Sequence, residues 1–111
     1  MGHATPLGEF EQLIVLAILR LGENAYAVTI TREIEERTGR AVSSGAVYTT
    51  LNRLEEKGYL HSRRGDSRAM RGGRPRRFYR VEPEGLEAVQ TALGAVRRLS
   101  AGLEQVLGEV S

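Results

Sequence analysis

Residues 43–58 read SSGAVYTTLNRLEEKG and run directly into residues 59–81, YLHSRRGDSRAMRGGRPRRFYRV. The first stretch has the pattern of a helix. Val47, Leu51 and Leu54 fall at i, i+4 and i+7 and define one buried stripe. Ser43 or Ser44 supplies a hydroxyl able to accept from an unpaired N–H of the first turn, and Gly58 closes the helix. The second stretch changes period. Tyr59 to Arg64 and Arg76 to Val81 suit two antiparallel strands, joined by a glycine-containing loop too long for a tight turn. Tyr79 and Val81 share one face, Phe78 and Arg80 the other, and the pattern leaves open which aromatic points inward.

With the buried stripe set, the opposite helix face carries Ser44, Gly45, Tyr48, Thr49, Asn52 and Arg53. A helix that enters the major groove of DNA leads with its N-terminal half and must be narrow there. Gly45 and Ala46 supply that narrowness. Ser43, Ser44 and the free N–H groups suit a phosphate, helped by the helix dipole. Tyr48 and Thr49 can reach base edges or a thymine methyl, and Asn52 a base or the backbone.

From His61 to Arg80 there are eight arginines against one acid, Asp66, a net +7. The chain as a whole is +2, so the remainder carries −5. Charge of one sign on arginine between acidic flanks is the footprint of an anion-binding face. Arg63 and Arg64 at the hairpin base, and Arg76 and Arg77 on its return, are placed to straddle a phosphate backbone. At the tip, Arg71 precedes Gly73-Arg74-Pro75, a tripeptide similar to the core of the AT-hook. That similarity predicts Arg74 in a narrow minor groove beside the site that the helix reads.

Outward from this centre the chain reads as scaffolding. Phe10, Leu13, Ile14, Ala17, Ile18 and Leu21 repeat at helical spacing, and Val15, Leu16 and Leu19 make that helix apolar almost all round. A second helix spans about Val28 to Thr38, with Ile30 and Ile34 inward and Gly39 at its end. Glu82-Pro83 opens a last helix whose Leu86, Val89, Leu93, Val96, Leu103, Leu107 and Val110 follow a heptad broken by Ser100. Leu99 and Val106 broaden the stripe. A helix of this length exceeds what so small a domain can cover, which predicts self-association through it. Gly85, Gly94, Gly102 and Gly108 weaken it alone and fit a helix that needs a partner. The order is three helices, a hairpin and a long helix: mainly α with a small β-hairpin.

Composition removes other classes. The 111 residues make one domain. The absence of cysteine excludes disulfides, thiolate ligands and a cysteine nucleophile, and two isolated histidines do not make a zinc site. No metal or cofactor is expected. Glu35-Glu36 and Glu55-Glu56 are adjacent pairs that diverge from a helix, and no histidine neighbours Ser43 or Ser44, so no catalytic residue is assigned. The most apolar run, Phe10 to Leu21, is shorter than the roughly 20 residues of a membrane span. A soluble, cytoplasmic protein is the expectation.

LGEFEQLIVLAILRLGENAYAVTITREIEERTG, SSGAVYTTLNRLEEKGYL and GGRPRRFYRVEPEGLEAV together resemble a PadR-type transcriptional regulator of the compact kind with a single C-terminal helix. The most specific piece is YTTLNRLEEKGYL, followed at the right distance by the arginine hairpin and the E-P-E-G helix start. The resemblance implies a winged helix-turn-helix DNA-binding domain over residues 7–82 and a C-terminal dimerisation helix over 83–111. It implies a homodimer on a roughly palindromic operator, usually repressing. Ser44 to Lys57 becomes the recognition helix and Gly65 to Arg74 the wing tip. Phe10 and Leu13 of the first helix join Leu86, Val89, Leu93, Val96, Leu103 and Leu107 in the dimer interface. Some relatives bind flat aromatic drugs between tryptophans at the dimer centre. This chain has no tryptophan, so any small-molecule effector is unidentified and that mode does not carry over. The competing reading is a winged-helix protein-interaction module whose basic wing meets an acidic partner. The small, polar Ser44–Asn52 face argues against it, because a protein-docking face shows large apolar anchors.

Overall fold

The computed structural model describes residues 6–65 and 76–108. Helix α1 (Glu9–Leu21) leads through a 3-10 turn (Gly22–Asn24) to α2 (Ala27–Thr38) and α3 (Ser44–Glu56). Strands β1 (Leu60–Arg64) and β2 (Arg77–Val81) form an antiparallel hairpin, followed by α4 (Pro83–Ser100) and a single turn, α5 (Glu104–Leu107).

Each boundary has a local cause. Glu11, at the third position of α1, accepts from the Gly8 N–H at 2.9 Å and so satisfies one donor that the helix leaves open. Thr29 does the same for Tyr26 at the start of α2, at 3.0 Å. Gly39 ends α2 in the left-handed region, φ 73°, its N–H on the Glu35 carbonyl. Pro83 occupies the first turn of α4, where its missing N–H has no intrahelical acceptor to lose.

The core lies where the three-helix cluster meets the hairpin and the first turns of α4. Ile14, Val15 and Ile18 of α1 pack with Ile30 and Ile34 of α2 and with Val47, Leu51 and Leu54 of α3. The expected α3 stripe is therefore fully buried, and Thr50 joins it. From the hairpin region Tyr59, Leu60 and Tyr79 complete this core, so Tyr79 is the inward aromatic. α1 is buried on more than one side, as an all-round apolar helix requires, yet Leu19 stays exposed and Phe10, Leu13 and Leu16 half-buried.

The C-terminal helix departs from the expectation of one continuous heptad. α4 stops at Ser100, Ala101 turns extended and Gly102 takes φ +86°. A polar residue at a heptad a position followed by a flexible glycine ends the helix where its apolar seam lapses. Leu103 and Leu107 consequently sit beyond α4, on the approach to α5 and on α5 itself. Gly85 also has a reason other than helix weakness. A Cβ there would lie 2.4 Å from the Tyr59 carbonyl oxygen, which α4 approaches closely, and the Glu82 N–H donates to that same oxygen at 2.9 Å.

Candidate nucleic-acid interface

The outer face of α3 stands clear of the core. Ser43 is the cap, its Oγ accepting from the Ala46 N–H at 3.1 Å. Ser44, Gly45, Thr49, Asn52 and Arg53 are exposed, and Tyr48 is 53% exposed rather than packed. A Cβ at Gly45 would meet nothing within 4 Å, so the small residue there answers no demand from the chain's own packing. The turn before α3 is tied back to α2, since the Val42 N–H donates to a Glu35 carboxylate oxygen at 3.2 Å.

The hairpin register places Ser62 opposite Tyr79, Arg63 opposite Phe78 and Arg64 opposite Arg77. Residues directly opposite share a face of an antiparallel pair. Leu60, Ser62, Arg64, Arg77 and Tyr79 therefore line the face that turns toward the core, and His61, Arg63, Phe78 and Arg80 the other. Two arginines directly opposite one another, Arg64 and Arg77, repel; a phosphate between them would convert that repulsion into attraction.

On the core side a chain of hydrogen bonds fixes the hairpin to α3. Arg77 donates to Ser62 Oγ at 2.9 Å, and Ser62 donates to a Glu55 carboxylate oxygen at 2.6 Å. The C-terminal end of α3 thereby orients an arginine of the wing. Burial pushes the Tyr79 phenol above its ordinary 10.0; the Arg77 charge opposes this, and Glu55 and Tyr48 add to it. The phenol stays neutral under any physiological condition. β2 is held from its other edge as well, by the Tyr79 N–H donating to the Ala25 carbonyl at 2.9 Å.

A second link runs to α1. Lys57, just past α3, donates to Glu11 at 3.0 Å. Glu11 is only 8% exposed. Burial pushes its carboxyl up, but the Gly8 N–H, the Lys57 bond and the charges of Lys57 and Arg53 together hold it below the ordinary value. Neither link was foreseen from sequence. The signal was there for Glu11, an acid among the apolar residues of α1 that had to find a partner. Ser62 carried none, because a serine in a strand is uninformative until its cross-strand neighbour is known.

The remaining expected contacts divide. Arg63 and Arg76 lie exposed on the outer side of the hairpin, their guanidinium groups over the Phe78 and Tyr26 rings at 5.0 and 4.4 Å. Arg71 and Arg74, with the Gly-Arg-Pro tip, lie outside the described residues. Among the expected dimer contacts, Leu86, Val96, Leu103 and Leu107 are exposed and Leu93 half-buried. Val89, expected in the same interface, is 2% exposed and packs in the chain's own core. Its place is explained by the close approach of the first α4 turns to Tyr59, which Gly85 permits.

Three helices with an exposed third, a two-stranded wing pinned to its end, and a following long helix define a winged helix-turn-helix. The sequence profile of the Transcriptional regulator PadR-like family matches residues 15–91, well over half of the chain. The protein belongs to that family. No curated protein is a significant match in sequence. Among solved structures, the chain is similar to a PadR family transcription regulator from Clostridium difficile R20291, with 24% identity and a TM-score of 0.72, covering 91% of this chain and 100% of that one. A PadR family transcriptional regulator from Eggerthella lenta DSM 2243 is 25% identical, with a TM-score of 0.67 and 92% and 88% coverage. A PadR-like regulator from Bacillus cereus strain ATCC 14579 shares 19% identity, with a TM-score of 0.71 and 91% and 93% coverage. The family is one of DNA-binding transcriptional regulators and not of enzymes. No helix among the described residues is long and apolar enough to cross a membrane.

Proposed function

We propose that the protein is a homodimeric repressor that reads a palindromic operator in the cytoplasm. Residues 7–82 act as the DNA-binding unit and residues 83–111 as the dimerisation segment. The N-terminal half of α3 enters the major groove, with Ser43, Ser44 and Gly45 against the backbone and Tyr48, Thr49 and Asn52 toward base edges. Arg53 and the wing arginines 63, 64, 76 and 77 meet phosphates on either side. The observation that carries this reading is the Glu55–Ser62–Arg77 chain, which orients a wing arginine relative to the exposed α3 face. A surface meant only for solvent gains nothing from holding a cation in register with a helix.

Dimerisation is supported by what α1, α4 and the α5 turn leave uncovered. Val96 is 60% and Leu99 84% exposed, with Leu19, Leu86, Leu103 and Leu107 also at the surface. Large apolar side chains left open to water in such number fit an interaction surface. Selection of bound duplexes from a random DNA pool tests the reading. The expected outcome is a sequence of two inverted half-sites about one helical turn apart, roughly 10 base pairs. An asymmetric single site would remove the two-fold reading, and retention of an acidic protein in place of any duplex would favour the protein-interaction alternative.

A further inference from the structure

On the outer face of the wing, four side chains are in contact in a row. The Arg63 guanidinium lies 5.0 Å from the centre of the Phe78 ring, its cross-strand partner. That ring meets Tyr26 edge-on, with centroids 5.3 Å apart and planes at 63°. The Arg76 guanidinium lies 4.4 Å over the Tyr26 ring. The order is cation, ring, ring, cation, assembled from both sides of the hairpin and from the residue that precedes α2.

The geometry points to Tyr26 and Phe78 as positioning residues, an aromatic brace that holds Arg63 and Arg76 ready for DNA phosphates; this rests on the DNA-binding reading. The physical basis is the division of labour within a guanidinium. Its face is attracted to the ring quadrupole, while its N–H donors lie in the plane and point away from the ring. An arginine held over a ring is therefore ordered while its N–H donors are left for a phosphate. A carboxylate partner would order the same side chain by occupying that edge. Among the described residues neither Arg63 nor Arg76 is in an ion pair, in contrast to Arg37, Arg40 and Lys57.

The brace is anchored to rigid backbone on both sides. Tyr26 is fixed by its N–H to Thr29 Oγ1 and by its carbonyl, which accepts from the Ile30 N–H at 2.8 Å. β2 is held beside it through the Tyr79 N–H bond to Ala25. The Phe78 ring also closes over the end of β1, where a Cβ at Gly65 would stand 2.6 Å from the ring. Neither ring is in the hydrophobic core, so neither is needed there to bury apolar area.

Two double-mutant cycles on the full chain test this. Binding is followed by fluorescence anisotropy to a short mixed-sequence duplex, which suffices because phosphate contacts are independent of sequence. Tyr26→Leu is expected to weaken binding about three- to fivefold, and Arg76→Ala about tenfold. If the ring acts through the arginine, the double variant binds no worse than Arg76→Ala alone. Phe78→Leu with Arg63→Ala forms the second cycle and decides alone if Tyr26→Leu does not fold. Tyr26→Phe, which keeps the ring face, recovers the affinity that Tyr26→Leu loses. Additive losses in folded variants, or no loss on removing either ring, overturn the brace while leaving DNA binding intact. A wild-type chain that binds no duplex would instead strike the DNA-binding reading itself, and the brace with it.

Discussion

The outer face of α3 and the free face of α4 are both exposed, both on helices, and both unmatched within the chain, yet they ask for opposite partners. α3 presents small and polar groups beside a wing of arginines. α4 presents Leu86, Val96 and Leu99. A polar face in water is already solvated, so its purpose shows in how its charges are held in place. An apolar face in water is a standing cost of about 25 cal/mol per Å² of exposed apolar area. Cover is what it lacks. One surface is therefore diagnosed by its hydrogen-bond scaffold and the other by area alone.

The largest effect is expected at the apolar face. Val96→Glu places a charge at a position already mostly open to water, so the monomer should fold normally while the dimer is lost. Sedimentation should then show a monomer, and operator binding should disappear with the dimer. A fully active monomer would erase the distinction between the two faces. Beneath both surfaces lies the shared core, and Leu51→Ala should cost about 2–5 kcal/mol of stability by urea or thermal unfolding. That loss should fall equally on DNA binding and dimerisation.

At the polar face, Tyr48→Ala should leave stability nearly unchanged. It should relax discrimination between operator and random DNA by about 1–3 kcal/mol if a base contact is lost. Arg77→Ala should act differently, weakening specific and non-specific binding together and reducing the slope of log K against log salt by about 1. Equal effects of both substitutions on every sequence would mean that α3 does not read bases. The smallest effect concerns the Glu11–Lys57 link. The folded state holds the Glu11 carboxyl below its ordinary 4.5, so its contribution to stability is present above that value. It is lost as the pH falls further, through the folded-state value. The stability difference between the wild type and Glu11→Gln, by urea unfolding, should therefore be largest near neutral pH and shrink in acid.

Much of this was legible in advance because helices announce themselves locally. Three- and four-residue spacing, a serine before the first turn and a proline at the start of α4 each depend on neighbours in sequence, and α1 to α3 and both strands lie within a residue or two of where they were expected. What was not legible depends on distance. That Tyr79 rather than Phe78 turns into the core depends on packing against residues far away in sequence, as does its N–H bond to Ala25, more than fifty residues away. The burial of Val89 was not legible either, because heptad spacing is the same for a residue that faces a partner and one that faces its own core. The halt of α4 at Ser100 was half visible, as a polar residue out of pattern followed by Gly102.

By itself the sequence determined the class of this protein: its element order, the concentration of positive charge on one hairpin, and a polar face opposite Val47, Leu51 and Leu54. These follow from periodicity and composition, which survive without coordinates. The tertiary structure alone decided how the face and the charges are joined. Glu55, Ser62 and Arg77 are brought into one chain of hydrogen bonds, and Tyr26 is brought beneath Arg76, only when strand pairing sets side chains from separate elements a few ångströms apart. Register is a long-range property, and so is the orientation of every arginine that depends on it.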